Sequence, residues 1–252
     1  MSTNKFAQPL LRQPVTEAGL DLATWGEQQN FWTERVRGGA LIWPAGADWF
    51  ANDPLGPLPH SHPDASEIYF VAEGTLEATI GGESLELSAG DLCLIPPDTF
   101  HDPRGTAGTS LGLFCVVGPN WRDRRWQTED TSVDGYDRSL VWSVEGDGPP
   151  PADDLLVAER LELALGEAEE HGVVRGRERV LYVLAGRMAL TIDNLAGEFG
   201  PHQYAHVGSN TRHRVANAGK EALVCLSVWA IDPAGDAGVE PTGGAQARGA
   251  RS

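Results

Sequence analysis

His60-Ser-His62, then Glu67, then His101 thirty-four positions further on, are the residues of this chain whose types and spacing could do chemistry. Three imidazoles and one carboxylate can converge on a single divalent metal ion. Such a set leaves the ion with residual positive charge and, if octahedral, two positions for water, substrate or dioxygen.

The elements that must position these groups read as β-strands. Alternation puts His60 and His62 on one face of a strand. Pro63-Asp64-Ala65-Ser66 supplies turn residues, and Glu67 opens the strand run Ile68 to Ala72, which ends at Glu73-Gly74. Gly90 to His101 reads as a turn, a short buried strand, a proline-stiffened turn at Pro96-Pro97, and a histidine starting the next strand. Each histidine alone reads better as a core or surface residue; their joint spacing, with Glu67, Gly74, Gly90 and Pro96, favours a metal site.

The pattern H-x-H-x4-E-x6-G from His60 to Gly74, followed by G-x5-P-x4-H from Gly90 to His101, resembles the paired motifs of the cupin superfamily. The resemblance implies a small β-barrel in which His60, His62, Glu67 and His101 bind one divalent transition metal ion, Fe(II) first, with Mn, Ni, Zn, Co or Cu as alternatives. Asp98 stands where many members have glycine, a departure that touches a turn and leaves the ligands intact.

An internal repeat appears at an offset of 112 residues. Gly74 falls on Gly186, Thr99 on Thr211, His101 on His213, and Leu111 to Val117 on Leu223 to Trp229. The fold class expected is therefore all-β, two double-stranded β-helix (jelly-roll, cupin) barrels in one chain with few short helices. The same offset sets His60 on Gly172, His62 on Val174 and Glu67 on Arg179, so one ligand of four remains in the second copy. A guanidinium at the carboxylate position opposes a metal ion. A shifted set drawn from Glu170, His171, Glu178, His202 and His206 is the alternative.

Composition divides the chain into an N-terminal arm at 1–38 carrying Trp25, Phe31 and Trp32, a metal-binding barrel at 39–118, a linker at 119–153, a second barrel at 154–232, and a disordered tail at 233–252. In the linker, Arg122, Arg124 and Arg125 lie between Trp121 and Trp126, either clamping an anionic substrate or making inter-element contacts. Cys93, Cys115 and Cys225 form no pairing pattern and read as buried free thiols. A formal charge of -17 disfavours nucleic acid and anionic membranes. No secretory leader or membrane-spanning run is apparent, so the expectation is a cytoplasmic protein. Seventeen arginines against two lysines suggest a GC-rich, bacterial coding sequence. A homodimer joined through sheet edges is a further expectation.

From these residues three functions follow. The first is an Fe(II)-type dioxygenase acting on a small aromatic, enolic or carbonyl compound, as likeness to quercetinase-like cupins implies, with dioxygen as second substrate. Next comes a redox-neutral isomerase, cyclase, decarboxylase or lyase that uses the ion as a Lewis acid, and last a non-catalytic ligand-binding bicupin. In the enzymatic readings Glu67 doubles as a catalytic base, and Tyr69, Val71, Phe114 and Trp43 are the candidate walls of the substrate pocket.

Overall fold

The computed structural model describes residues 10–14, 30–32, 35–42, 59–105, 110–123, 125–126, 135–173, 175–193 and 195–233. Trp25, Trp43, Arg124, Val174 and the tail from 234 lie outside them. Two short strands come first, β1 (Leu10–Pro14) and β2 (Asn30–Trp32). The first barrel continues with β3 (Val36–Ile42), β4 (His60–Ser61), β5 (Ser66–Glu73), β6 (Thr75–Ile80), β7 (Glu83–Ser88), β8 (Asp91–Ile95), β9 (His101–Gly105) and β10 (Ser110–Val117). The intervening segment contributes β11 (Arg125–Trp126), a 3-10 turn at Arg138–Leu140, and β12 (Val141–Ser143). The second barrel holds β13 (Leu156–Leu163), β14 (Ala168–His171), β15 (Arg177–Ala185), β16 (Met188–Ile192), β17 (Leu195–Phe199), β18 (Gln203–Val207), β19 (His213–Asn217) and β20 (Leu223–Ile231).

These strands form four antiparallel sheets, two to a barrel. In the first barrel the order is β12-β8-β5-β10-β3-β2 facing β11-β4-β9-β6-β7; in the second it is β1-β18-β15-β20-β13 facing β14-β19-β16-β17. The sequence explains which sheet lies inside. In β5 the run Glu-Ile-Tyr-Phe-Val is buried on both faces, whereas β6 and β7 alternate buried and exposed residues, as a sheet with one wet face must.

Parity then sorts the side chains of β5. Tyr69 and Val71 point into the first barrel with Leu76, Ile80, Cys93 and Phe114. Ile68 and Phe70 point outward, into a core shared with Val180, Tyr182, Tyr204, Leu226 and Val228 of the second barrel. The two barrels therefore bury their long sheets against each other. Phe70 meets Tyr182, its own counterpart in the repeat, edge to face with centroids 5.4 Å apart. Arg35 pairs with Asp232 at 2.5 Å, and the Ser66 hydroxyl donates to Asp153.

Both long sheets are finished by strands from outside their barrels. β12 lies along β8, and β1 lies along β18 at the corresponding place in the second copy. Tight turns keep the repeat in step: Gly74 and Gly186 both take positive φ, 77° and 80°, which a side chain would disfavour. Asp98, at the position where glycine is usual, has φ 60°, and Asn210 at the matching turn has the same value. Asp and Asn are the residues that tolerate this left-handed region best after glycine. Among the described residues no helix is long and apolar enough to cross a membrane.

Candidate metal centre

His60 and His101 sit opposite each other where β4 pairs with β9, and their rings are 4.4 Å apart. His62 follows two residues after His60, with ring centroids 5.2 Å apart, as strand alternation requires. Glu67 reaches the same point from the long sheet, lying opposite Ile95 on β8 and Val116 on β10. Each of the four side chains is buried, and one donor atom from each lies within 4.8 Å of every other. The four sequence-predicted ligands are thus brought together at one point inside the first barrel.

The outward ring nitrogens define the inward ones. His62 Nδ1 lies 3.1 Å from the Asp123 carbonyl and His101 Nδ1 lies 2.9 Å from the Thr99 carbonyl. A carbonyl only accepts, so both Nδ1 atoms carry hydrogen and both Nε2 atoms present lone pairs to the interior. Glu67 Oε2 is 2.9 Å from His101 Nε2 and 3.5 Å from His62 Nε2. These three buried atoms have no hydrogen-bond partner. Lone pairs and a carboxylate oxygen facing each other at such distances repel unless a cation joins them, so the donor set fits a metal ion. Burial alone would raise the Glu67 carboxyl, but positive charge at the histidine side of the group, at His101 first and His62 second, outweighs burial and holds it well below the usual carboxylate range, the direction in which a bound cation also acts.

The loops that hold the ligands are tied together. The Asp98 amide donates to the His62 carbonyl at 2.7 Å, joining the His62 turn to the turn before His101. Asp98 also accepts from Arg125 at 2.7 Å, which attaches the segment of β11 to the rim. Of the expected pocket residues, Tyr69, Val71 and Phe114 face the barrel interior, and the Tyr69 ring is 6.1 Å from that of His101. Trp43 falls outside the described residues. Sequence reasoning missed Tyr136, which closes the interior with its hydroxyl donating to the Leu94 carbonyl at 2.7 Å; Trp121, read there only as a flank of the arginine cluster, packs on Ala65 and Val116. The arginine cluster is split: Arg122 stacks on Trp121 at 4.3 Å, while Arg125 serves Asp98.

In the second barrel the structure corrects the repeat. β14 pairs with β19 so that His171 lies opposite His213, as His60 lies opposite His101. The counterpart of His60 is therefore His171, not Gly172, because the turn after this strand is one residue longer in the second copy. Trp229, similarly, lies opposite Arg179 where Val116 lies opposite Glu67, a displacement by one from the repeat offset. Two of the four ligand positions keep histidine, with rings stacked 4.8 Å apart.

Arg179 fills the place between them. It is 1 % exposed, lies 3.4 Å from His213 Nε2, and donates to Ser227 at 2.9 Å and Glu159 at 3.2 Å. Its guanidinium stacks on Trp229 at 4.5 Å, and Glu169 accepts from it and contacts His171. The shifted set does not assemble: His206 pairs with Glu178 at 2.7 Å on the face of β18 turned away from the barrel interior, and His202 contacts the Tyr182 hydroxyl. Cys93, Cys115 and Cys225 are free and buried.

The family model described as cupin domain matches residues 52–117 and 161–229, more than half of the chain. The protein belongs to the cupin family, and its two matched regions with their paired barrels make it a bicupin. Solved structures similar to it include a deletion mutant of Bacillus subtilis oxalate decarboxylase, at 13% identity and TM-score 0.53 over 79% of this chain and 70% of that one. Another structure of that enzyme, described for its Mn(II) centres, is similar at 14% identity and TM-score 0.50, with 79% and 70% covered. At these identities the likeness is one of fold. An uncharacterized protein of Methanocaldococcus jannaschii is 32% identical over 76 residues, which is 30% of this chain and 57% of that protein.

Proposed function

We propose that the protein is a mononuclear metal-dependent enzyme whose reaction takes place in the first barrel, a redox-neutral conversion of a small enolic or carbonyl compound such as a decarboxylation, isomerisation or elimination. The observation that carries this reading is the convergence of three partnerless buried atoms, His62 Nε2, His101 Nε2 and Glu67 Oε2, beside His60. His60, His62, Glu67 and His101 would hold the ion. Bound there, a divalent metal supplies Lewis-acid stabilisation of negative charge developing on a substrate oxygen.

The chain's own residues supply the rest. The Asp123 and Thr99 carbonyls fix the ring orientations of His62 and His101. Tyr69, Val71, Phe114 and Tyr136 form apolar walls that exclude water and strengthen electrostatics inside. Glu67 remains a carboxylate at neutral pH, available as ligand and as proton acceptor. The name of the structurally similar oxalate decarboxylase supports redox-neutral chemistry on this architecture. A dioxygenase with Fe(II) is the second reading, favoured by the same four-donor set, which suits iron equally well.

Identifying the metal in protein purified without added ions, then assaying candidate 2-oxo acids, 1,3-dicarbonyls and phenols with and without oxygen, separates the two. Turnover that continues anaerobically supports the redox-neutral reading. Iron content with oxygen uptake tied to substrate would replace it with the oxygenase.

A further inference from the structure

We infer that residues 118–123 together with β11, which follow the first barrel in sequence, form a strap that positions the metal ligands and sets how long a bound ion stays. This rests on the proposed metal at the four-ligand site. The need for a strap lies in β4. That strand is His60–Ser61 alone, and its pairing with β9 consists of His60 opposite His101. Along its other edge runs β11, with Arg125 opposite Ser61 and Trp126 opposite His60. Most of the backbone support of this ligand-bearing strand therefore comes from outside the barrel.

The same segment grips the turn that carries the chain from His62 to Glu67. Gly118 packs so closely on it that a Cβ there would collide with the Asp64 carbonyl oxygen and lie 2.7 Å from Ala65 Cα, backbone atoms that cannot turn aside. Asn120 donates to Asp64 at 3.2 Å, and Trp121 packs on Ala65. The Asp123 carbonyl then accepts from His62 Nδ1, which leaves Nε2 as the inward lone pair. Arg125 latches the far end: its guanidinium donates to Asp98 at 2.7 Å, and the Asp98 amide donates to the His62 carbonyl at 2.7 Å. His62 is thus held at its ring by the strap and at its backbone by the residue to which the strap is latched. His101 is held from within its own turn, by the Thr99 carbonyl.

The strap is an addition to the barrel. The cupin-domain match ends at 117, before it begins. In the second barrel, where the ligand set is broken, β14 borders its sheet with no strand along its outer edge among the described residues. A ligand histidine free to rotate or change tautomer spends time away from the ion, so a loosened strap speeds metal release while the ligand residues stay the same.

The test uses the full-length protein in two states. Loaded with Mn(II), it is mixed with excess chelator and metal release is timed; metal-free, its imidazoles are read by nitrogen NMR, which tells Nδ1–H from Nε2–H. Gly118→Ala, which must push the strap off the turn, should speed release roughly 10- to 100-fold, the scale of losing the group that orients a ligating histidine. Arg125→Ala should speed it roughly two- to fivefold, the scale of an exposed ion pair, and Arg125→Lys by less. Being on the surface, the Arg125 variants keep the test valid if the alanine at 118 prevents folding. In metal-free Gly118→Ala, or in Arg125→Ala to a smaller degree, His62 should pass from one Nδ1–H form to a mixture while His101 keeps Nδ1–H. Wild-type release rates in the folded variants, an unchanged His62, or equal disturbance of His62 and His101 would overturn the assignment. A wild-type protein that takes up no metal would instead sink the proposed reaction, and the metal-free spectra would still read the strap.

Discussion

Arg179 stands in the second barrel where Glu67 stands in the first: Glu67 lies opposite Ile95 and Arg179 opposite Val207, at positions the same distance apart in the repeat. One site collects negative charge and lone pairs, the other contains its own cation. His60 and His101 face the first, His171 and His213 the second.

Metal content should follow this division. His62→Ala or His101→Ala is expected to lower bound metal from one equivalent per chain to near zero with the fold retained, whereas His213→Ala leaves it at one. Elemental analysis of the purified variants decides. Full occupancy in His101→Ala would refute the ligand assignment.

Exchanging the cation for a carboxylate should convert the second barrel. Arg179→Glu places an acid beside His171 and His213 with Glu169 at hand, and metal uptake is expected to rise from one to two equivalents. Arg179→Met offers no such compensation: it strands Glu159 and Glu169 and should cost about 2–4 kcal/mol, below the full value for a buried pair because both acids retain some exposure. Urea unfolding of the metal-loaded proteins measures it.

Acid should loosen the second barrel through its histidines. Burial first, and the Arg179 charge second, push His213 down to about 4, and His171 is lowered for the same two reasons. An unfolded histidine titrates near 6.5. Between these values the unfolded chain binds more protons than the folded one, so this stabilisation is complete above about pH 6.5 and is lost as pH falls towards about 4. The unfolding midpoint should decline over that window, and His213→Gln should flatten the slope in the same metal state. An unchanged slope would remove His213 from the account.

The cysteines should be silent. Burial pushes Cys93 and Cys225 up to about 12 and Cys115 higher still, and only the thiolate reacts. A thiol reagent at pH 8 is expected to find none of the three in the native protein and all of them after denaturation.

At the joint between barrels, Phe70→Ala removes the ring that meets Tyr182 and should cost about 3–5 kcal/mol. Because that core is common to both halves, they should unfold in one transition, seen by denaturant titration monitored with two probes. A variant that loses only the first barrel's transition would show the halves to be independent.

The convergence of His60, His62, Glu67 and His101 was legible in the sequence because short-range rules position them: strand alternation for His60 and His62, a turn for Glu67, a proline-stiffened turn for His101. The two barrels were legible through the repeat, whose glycine turns recur at fixed intervals. A gapless offset misplaced His171, since one extra residue in a turn is invisible until hydrogen bonding shows which residues face each other. The arginine cluster was noticed, but its division between Trp121 and Asp98 depends on packing across the rim.

The strands that finish the two long sheets make the halves poor modules. β12 covers the edge of β8 from beyond the end of the first barrel, and β1 covers β18 from the far end of the chain. Cutting the gene between the barrels, at about residue 120, would give fragments that each lack a bordering strand and expose an unpaired backbone ladder, the surface on which β-proteins aggregate. An N-terminal truncation would harm the C-terminal barrel first. Dissection should therefore keep residues 10–14 with the second half, supplied as a peptide or by circular permutation, and keep 141–143 with the first.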